Sequence, residues 1–217
     1  MRFTTDNLPP QFGAVLDEDE KVLWVGNPTL IPFLLSGVPF LIFGLLWGAF
    51  DYFGFIQHLL KGDMKGSKEM AGFAIPFFAL HMIPCWLGIG NMARLCLVYG
   101  NTCYAFSNKR VLLRSGFWGI DFKTVDFDRL EQLEVTVNPI ENMLGVGTIK
   151  MFSGGMTSQG SPDFKYFIGI GNPYEVYKRL KTVSLDVKTD WNYPNALRPP
   201  ENKGYNTDYK PRGTDAP

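Results

Sequence analysis

Two apolar runs without Asp, Glu, Lys or Arg, Leu30 to Phe50 and Ala71 to Ala93, occupy much of the first half of the chain. Each has roughly the 20 residues that a helix needs to cross a hydrocarbon core of about 30 Å. Runs of that length constrain the fold more than any other feature. They are expected to form two transmembrane helices, with everything after Tyr99 a polar domain hung on a membrane hairpin.

The rest of the composition narrows the class. With 21 Lys+Arg against 21 Asp+Glu in 217 residues, the chain lacks the basic excess of a nucleic-acid binder, so no nucleic-acid partner is expected. Cys85, Cys96 and Cys103 cannot form an even disulfide framework and are expected to be free thiols packing as small hydrophobes. The only histidines are His58 and His81, and no cluster has metal-ligand spacing. No metal or cofactor is expected. The first apolar run begins about thirty residues in, after Asp17-Glu18-Asp19-Glu20, and its length suits a retained anchor rather than a cleaved signal.

Within the first run, Pro32, Pro39, Gly37, Gly44 and Gly48 are residues that membrane helices tolerate better than soluble ones. Gly44 and Gly48 have the small-xxx-small spacing that admits a close neighbour, and the second run offers Gly88 and Gly90. The stretch from Asp51 to Met70, rich in Lys and Gly, reads as a polar linker too short for a domain, which makes the pair antiparallel with both termini on one side. Trp24, Trp47, Tyr52 and Tyr99 lie near the expected interfaces, as an aromatic belt would. The loop carries three lysines. Arg2, Lys21, Arg94, Lys109, Arg110 and Arg114 on the other side favour cytoplasmic termini under the positive-inside rule.

His81 and Asn91 are the polar exceptions in the second run, and an intramembrane ionisable group is a functional candidate by default. The competing reading is a neutral imidazole bonded to a backbone carbonyl, since neither run supplies a carboxylate.

From Cys103 the pattern changes. TCYAFS, Asn108-Lys109 and RVLLRSG read as a hairpin. Gly116 to Gly119 make a turn, and IDFKTVDF and LEQLEVTV alternate as half-buried strands do, placing Leu130, Leu133, Val135 and Val137 on an apolar side. Asn138-Pro139 ends that strand. TIKMF and FKYFIGI follow. Asn172 as N-cap, Pro173 and Glu175 then open a helix to about Val183, with Val176, Tyr177, Leu180 and Val183 at helical spacing. After Ser184 few aliphatic residues remain, and an extended or disordered tail is expected, with Trp191, Tyr193 and Leu197 as docking points.

At these residues the chain resembles a known family. YAFSNKRVLLRSG looks like the signature of bacterial pleckstrin-homology (PH) membrane proteins, the YdbS-like group. Tyr104, Arg110 and Gly116 match the pattern, and Ser107 stands where Thr is usual. EKVLWVGNP, LGVGTIKMF and NPYEVYKRL agree in the same order. The resemblance implies an α+β membrane protein of the bacterial inner membrane: a two-span hairpin, then a PH-like bent antiparallel sheet capped by a helix and facing the cytoplasm. The expected division is residues 1–29 juxtamembrane, 30–98 hairpin, 99–183 PH-like domain and 184–217 tail.

No catalytic constellation appears. The half after Tyr99 lacks histidine, so Cys103 has no base, and Gly145-Val146-Gly147 lacks the rest of a dinucleotide fingerprint. Lys109, Arg110 and Arg114 are candidates for contact with anionic lipid headgroups; His81 and Asn91 are the candidate intramembrane polar site. The expected function is a non-catalytic, membrane-anchored interaction module. It would bind a protein partner, a second copy or the membrane surface, as a scaffold or assembly factor for a membrane complex. The competing class is a small oligomeric channel or transporter component, for which only His81, Asn91 and Ser36 offer polar lining.

Overall fold

The computed structural model describes residues 7–61, 67–156 and 160–192. It divides into two compact units. One comprises residues 1–32 and 100–217, the other residues 33–99.

The first unit is a split antiparallel sheet with a helix. Strands β1 (Val22–Gly26), β2 (Cys103–Ser107), β3 (Arg110–Ser115) and β4 (Asp121–Asp126) form one sheet in that order. Strands β5 (Gln132–Thr136), β6 (Val146–Met156) and β7 (Pro162–Gly171) form the other. The strands after Tyr99 fall where alternation and turn residues place them. Strand β1 is different. Trp24 pairs with Phe106, Val25 with Ala105 and Gly26 with Tyr104, so the segment expected to be juxtamembrane supplies the first strand of the sheet. Residues 27–102, with both apolar runs, are an insertion between two hydrogen-bonded neighbours.

The core explains why β2 and β3 show no alternation. Tyr104, Phe106, Val111 and Leu113 face the main core with Phe127, Leu130, Ile149, Met151, Phe167 and Ile170. Cys103, Ala105 and Leu112 face the opposite way, against Phe12, Leu8, Val15 and Leu16. A 3₁₀ turn at Pro10–Ala14 thus covers the outer face of the first sheet, and a strand covered on both faces reads as continuously apolar. Trp24, expected in an aromatic belt, is instead part of the domain core. Its ring stacks 5.5 Å from Phe106 and 5.6 Å from Phe167, and Tyr104 lies 4.8 Å from Phe167. These rings join the two sheets, each buried aromatic contributing about 1.5–3 kcal/mol.

The closing helix begins at Pro173 as expected but continues to Asn192, past the expected end near Val183. Val176, Leu180 and Val183 are buried against the core and Val187 packs one turn further along the same face, so the apolar stripe outlasts the aliphatic-rich stretch. Lys188 Nζ donates to the Leu130 carbonyl. Residues 193–217, with the docking points Tyr193 and Leu197, lie outside the described residues, as does the side chain of Trp191.

The second unit is helical. Helices α1 (Leu30–Leu35) and α2 (Val38–Asp51) are followed by a π-helical turn at Tyr52–Ile56 and α3 (Gln57–Lys61). Then come α4 (Ser67–His81) and α5 (Ile83–Asn101). Much of the stretch expected to be a polar linker is therefore helix, because Phe53, Phe55, Ile56, Leu59 and Leu60 sustain the apolar pattern beyond Asp51. Val38–Lys61 is long and apolar enough to cross a membrane; Gly72–His81 and Ile83–Asn101 pass the same test together, bent by 45°. Pro84 accounts for the bend: it has no N–H for the Leu80 carbonyl and its ring crowds that group.

Small residues set the approach of α2 to α5. A Cβ on Gly44 would stand 2.5 Å from the Pro84 carbonyl oxygen, one on Gly48 3.0 Å from Cys85 Sγ, and one on Gly88 3.1 Å from the Phe40 carbonyl oxygen. Gly90 meets nothing within 4 Å. Neighbours advance along one helix as they recede along the other, so the two run antiparallel.

Candidate functional site

The cationic hairpin between β2 and β3 is a built ion-pair cluster. Arg110 donates to Glu20 through Nη2 (2.7 Å to Oε2) and Nε (3.1 Å to Oε1), and to the Val15 carbonyl at 3.0 Å. Lys109 Nζ lies 2.6 Å from Asp19 and 3.3 Å from Asp17. The hydrogen bond it donates to Asp19 holds the Lys109 ammonium above the usual lysine range, and those donated to Glu20 do the same for the Arg110 guanidinium. Ser107 Oγ donates to Glu20 Oε1 at 2.6 Å and accepts from the backbone N–H groups of Lys109 and Arg110. Serine where threonine is usual keeps the hydroxyl that organises the turn. The acidic run Asp17–Glu20 and the basic pair Lys109–Arg110 therefore balance one another, which leaves little unopposed charge for a lipid phosphate.

Arg114 sits elsewhere. It is buried and donates from Nη1 to the Asn101 carbonyl at 2.7 Å, opposite Cys103 in the register of β2 and β3. It ties the start of β2 in place. Burial pushes the Cys103 thiol up to about 12, against the lowering effect of Arg114, so the thiolate needed of a nucleophile is suppressed at neutral pH.

Beside Asn101, the turn from Gly116 to Gly119 projects two aromatic rings. Asn101 Nδ2 donates to the Gly116 carbonyl at 3.1 Å. Trp118 is 92% exposed and stands edge-on to Phe117, their centroids 5.6 Å apart. Gly116 is required there: φ is +152°, and a Cβ would fall 2.0 Å from the Gly119 carbonyl oxygen. The glycine-bounded turn was legible in the sequence. The outward aromatic pair needed the structure.

At the far end of the second sheet, Asn138-Pro139 opens a helix rather than merely ending a strand. In α6 (Pro139–Met143), Asn138 Oδ1 accepts from Glu141 N at 2.8 Å and Glu141 Oε2 from Asn138 N at 3.0 Å, a complete capping box. Thr148 donates to Glu141 Oε1 at 2.6 Å. This locks a short helix that exposes Ile140 and Met143, the latter 86% exposed. Tyr174 is also exposed, and it lines a cavity of about 420 Å³ with Val137, Asn142 and Pro173. The pattern Asn-Pro-x-Glu occurs twice, at 138 and 172. From sequence alone only the second, ahead of residues at helical spacing, reads as a helix start.

In the helical unit His81 has a carboxylate partner after all. Its Nδ1 lies 2.8 Å from Asp51 Oδ2, and Trp47 Nε1 donates to the His81 carbonyl at 2.9 Å. Asp51 directly follows the apolar run ending at Phe50, so in the sequence it reads as the start of a linker. Asn91 does not join this pair; it accepts from Arg94 at 3.1 Å. Ser36 donates to the Phe33 carbonyl at 3.0 Å. Among the described residues no group of three His, Cys, Asp or Glu is placed to hold a metal ion.

An antiparallel sheet closed by a carboxy-terminal helix is the geometry implied by the sequence resemblance, here split into four and three strands, and residues 67–184 match the family model of the bacterial PH domain. The chain belongs to the bacterial PH domain family. The match covers more than half of the chain and includes part of the helical insertion. A comparison with curated proteins finds no match. Among solved structures, a DUF1696 family protein with a pleckstrin-homology domain from Shewanella loihica PV-4 is similar. Its crystal structure at 2.00 Å gives a TM-score of 0.41 and 11% identity, over 84% of this chain and 95% of that one. The PH domain family is in general a non-enzymatic interaction module.

Proposed function

We propose that this bacterial PH domain protein is a membrane-anchored, non-catalytic interaction module, a scaffold or assembly factor whose sheet domain is held at the bilayer by an inserted helical hairpin. The pairing of β1 with β2 carries the reading. Gly26 lies opposite Tyr104, so the chain must leave and return at one place in the sheet. A segment that leaves and returns on one face of a bilayer crosses it an even number of times. If Val38–Lys61 is one span, the bent pair from Gly72 to Asn101 is the other, and both termini share a side. The positive-inside rule favours the cytoplasm for that side, and the reading extends to a YdbS-like protein of the inner membrane.

Two surfaces supply the contacts. Phe117 and Trp118 project beside Asn101, where the chain re-enters the domain from the last helix, and amphipathic aromatics favour the headgroup region. The exposed Ile140 and Met143, with Tyr174 at its cavity, form the face offered to a protein partner or second copy, since aromatic and Met side chains are enriched in interface cores. Gentle solubilisation followed by cross-linking and sizing tests this. Complexes recovered with the parent chain and lost with Met143→Glu and Tyr174→Ala support the reading; a monomer without cross-linked species contradicts it.

A further inference from the structure

The helical unit contains a cavity that the interaction role does not use. It has a volume of about 430 Å³ and is lined mainly by phenylalanines, among them Phe77, with Ala74; among the described residues Asp51 and His81 are its only ionisable groups. That volume falls within the roughly 300–1,000 Å³ of small-molecule sites, whose walls are mostly apolar with a few placed polar groups. Asp51 is 1% exposed. Its Oδ2 faces His81 Nδ1 at 2.8 Å, while Oδ1 is buried and accepts no hydrogen bond among the described residues. Phe77 stacks on the imidazole with centroids 5.3 Å apart.

We propose that this cavity binds an apolar primary amine, its ammonium group donating to Asp51 Oδ1 and its hydrocarbon part lying among the phenylalanines. A buried carboxylate oxygen without a donor costs free energy that a bound donor recovers. His81 Nδ1 faces Oδ2 at 2.8 Å, which leaves Oδ1 as the open acceptor for an ammonium donor, and a charge-assisted hydrogen bond of that kind is stronger than a neutral one. The surrounding aromatic faces attract the same cation. A carboxylate ligand would be repelled, and a hydroxyl would supply the hydrogen bond without the charge. The dyad also sits at two irregularities, Asp51 directly before the π-helical turn and His81 directly before the bend. Such π-helical insertions recur at functional sites.

Because the chain has two histidines, imidazole ¹⁵N spectra of the full-length protein in detergent separate His81 from exposed His58. Decylamine is expected to shift the His81 signals saturably and to leave His58 unchanged. Decanol should bind more weakly, and decanoic acid should give no saturable shift. Asp51→Asn, nearly isosteric and still able to accept from His81, is expected to weaken decylamine binding about tenfold or more, the cost of losing a charged hydrogen bond. Ala74→Leu narrows the cavity while leaving the dyad intact and should weaken every probe, which keeps the test decisive if Asp51→Asn does not fold. Equal responses to decylamine and decanoic acid would overturn the proposal, as would parallel shifts of both histidines or full binding by either variant. The cavity lies wholly within the helical unit, so these outcomes are independent of partner recovery.

Discussion

Arg110 and Glu20, ninety residues apart in sequence, make a two-point ion pair of 2.7 and 3.1 Å in which the Glu20 side chain is fully buried. They join the segment before the helical insertion to the hairpin after it. The same carboxylate accepts from Ser107, so one buried glutamate organises the turn that carries the family signature.

Glu20→Ala should therefore be among the most damaging single changes in the sheet domain. Removing one partner of a buried pair costs about 3–5 kcal/mol, because the other charge is left uncompensated. Glu20→Gln, which keeps an acceptor, should cost less, and Lys109→Ala, at a more exposed pair, less than about 1 kcal/mol. Near-ultraviolet circular dichroism melts of the three variants give the order; equal melting temperatures would remove Glu20 from this role.

Alkaline pH should destabilise the same domain through Cys103. The thiol ionises near 9.0 when unfolded and near about 12 when buried. Its contribution is complete below pH 9 and is lost as pH rises toward 12, at up to about 1.4 kcal/mol per pH unit. Lys109, also raised in the folded state, loses its contribution in the same direction at higher pH. Cys103→Ala should flatten the fall in stability between pH 9 and 11. An unchanged slope would show that the thiol is not its source.

Trp118 should report membrane proximity without supporting the fold. Being 92% exposed, it can be replaced by Ser with a stability change within about 0.5 kcal/mol. In reconstituted vesicles, with Trp118 retained and Trp24, Trp47, Trp86 and Trp191 replaced by Phe, lipids brominated near the headgroup should quench its fluorescence. Fluorescence equal to that in vesicles of the unbrominated lipid would contradict an interfacial position.

The length of the closing helix is tested by Val187→Ala. Leu180, fully buried, should cost about 2–5 kcal/mol on truncation to Ala. Val187, packed at the edge of the same core, should cost about 1 kcal/mol. No effect at Val187 would return the helix end to the neighbourhood of Val183.

What could be read from the sequence follows from how local each signal is. The strands from Cys103 to Gly171 and the start of the closing helix were legible because alternation, glycine turns and Pro173 act within a few residues. Strand β1 was not, since VLWVG stands just before an apolar run and its partner lies beyond the second. The neutralisation of Lys109 and Arg110 was hidden for the same reason, as their carboxylates belong to a run read only as an acidic flank. Asp51 was lost at a boundary: the first charge after an apolar run looks like its end, although the following phenylalanines keep the helix going. Gly44, Gly48 and Gly88 were legible as contact points; Gly90, with the same chemistry, faces away from the contact.

The central claim is that the segment between β1 and β2 crosses the membrane twice, turning near Lys61. Single cysteines at Lys61, in α3, and at Met143, in α6, placed in a Cys96→Ala background, can be labelled with a membrane-impermeant thiol reagent in oriented vesicles. The expected result is labelling from opposite faces, Lys61→Cys from outside the cytoplasmic membrane and Met143→Cys from the cytoplasmic face. Labelling of both positions from one face would contradict the account.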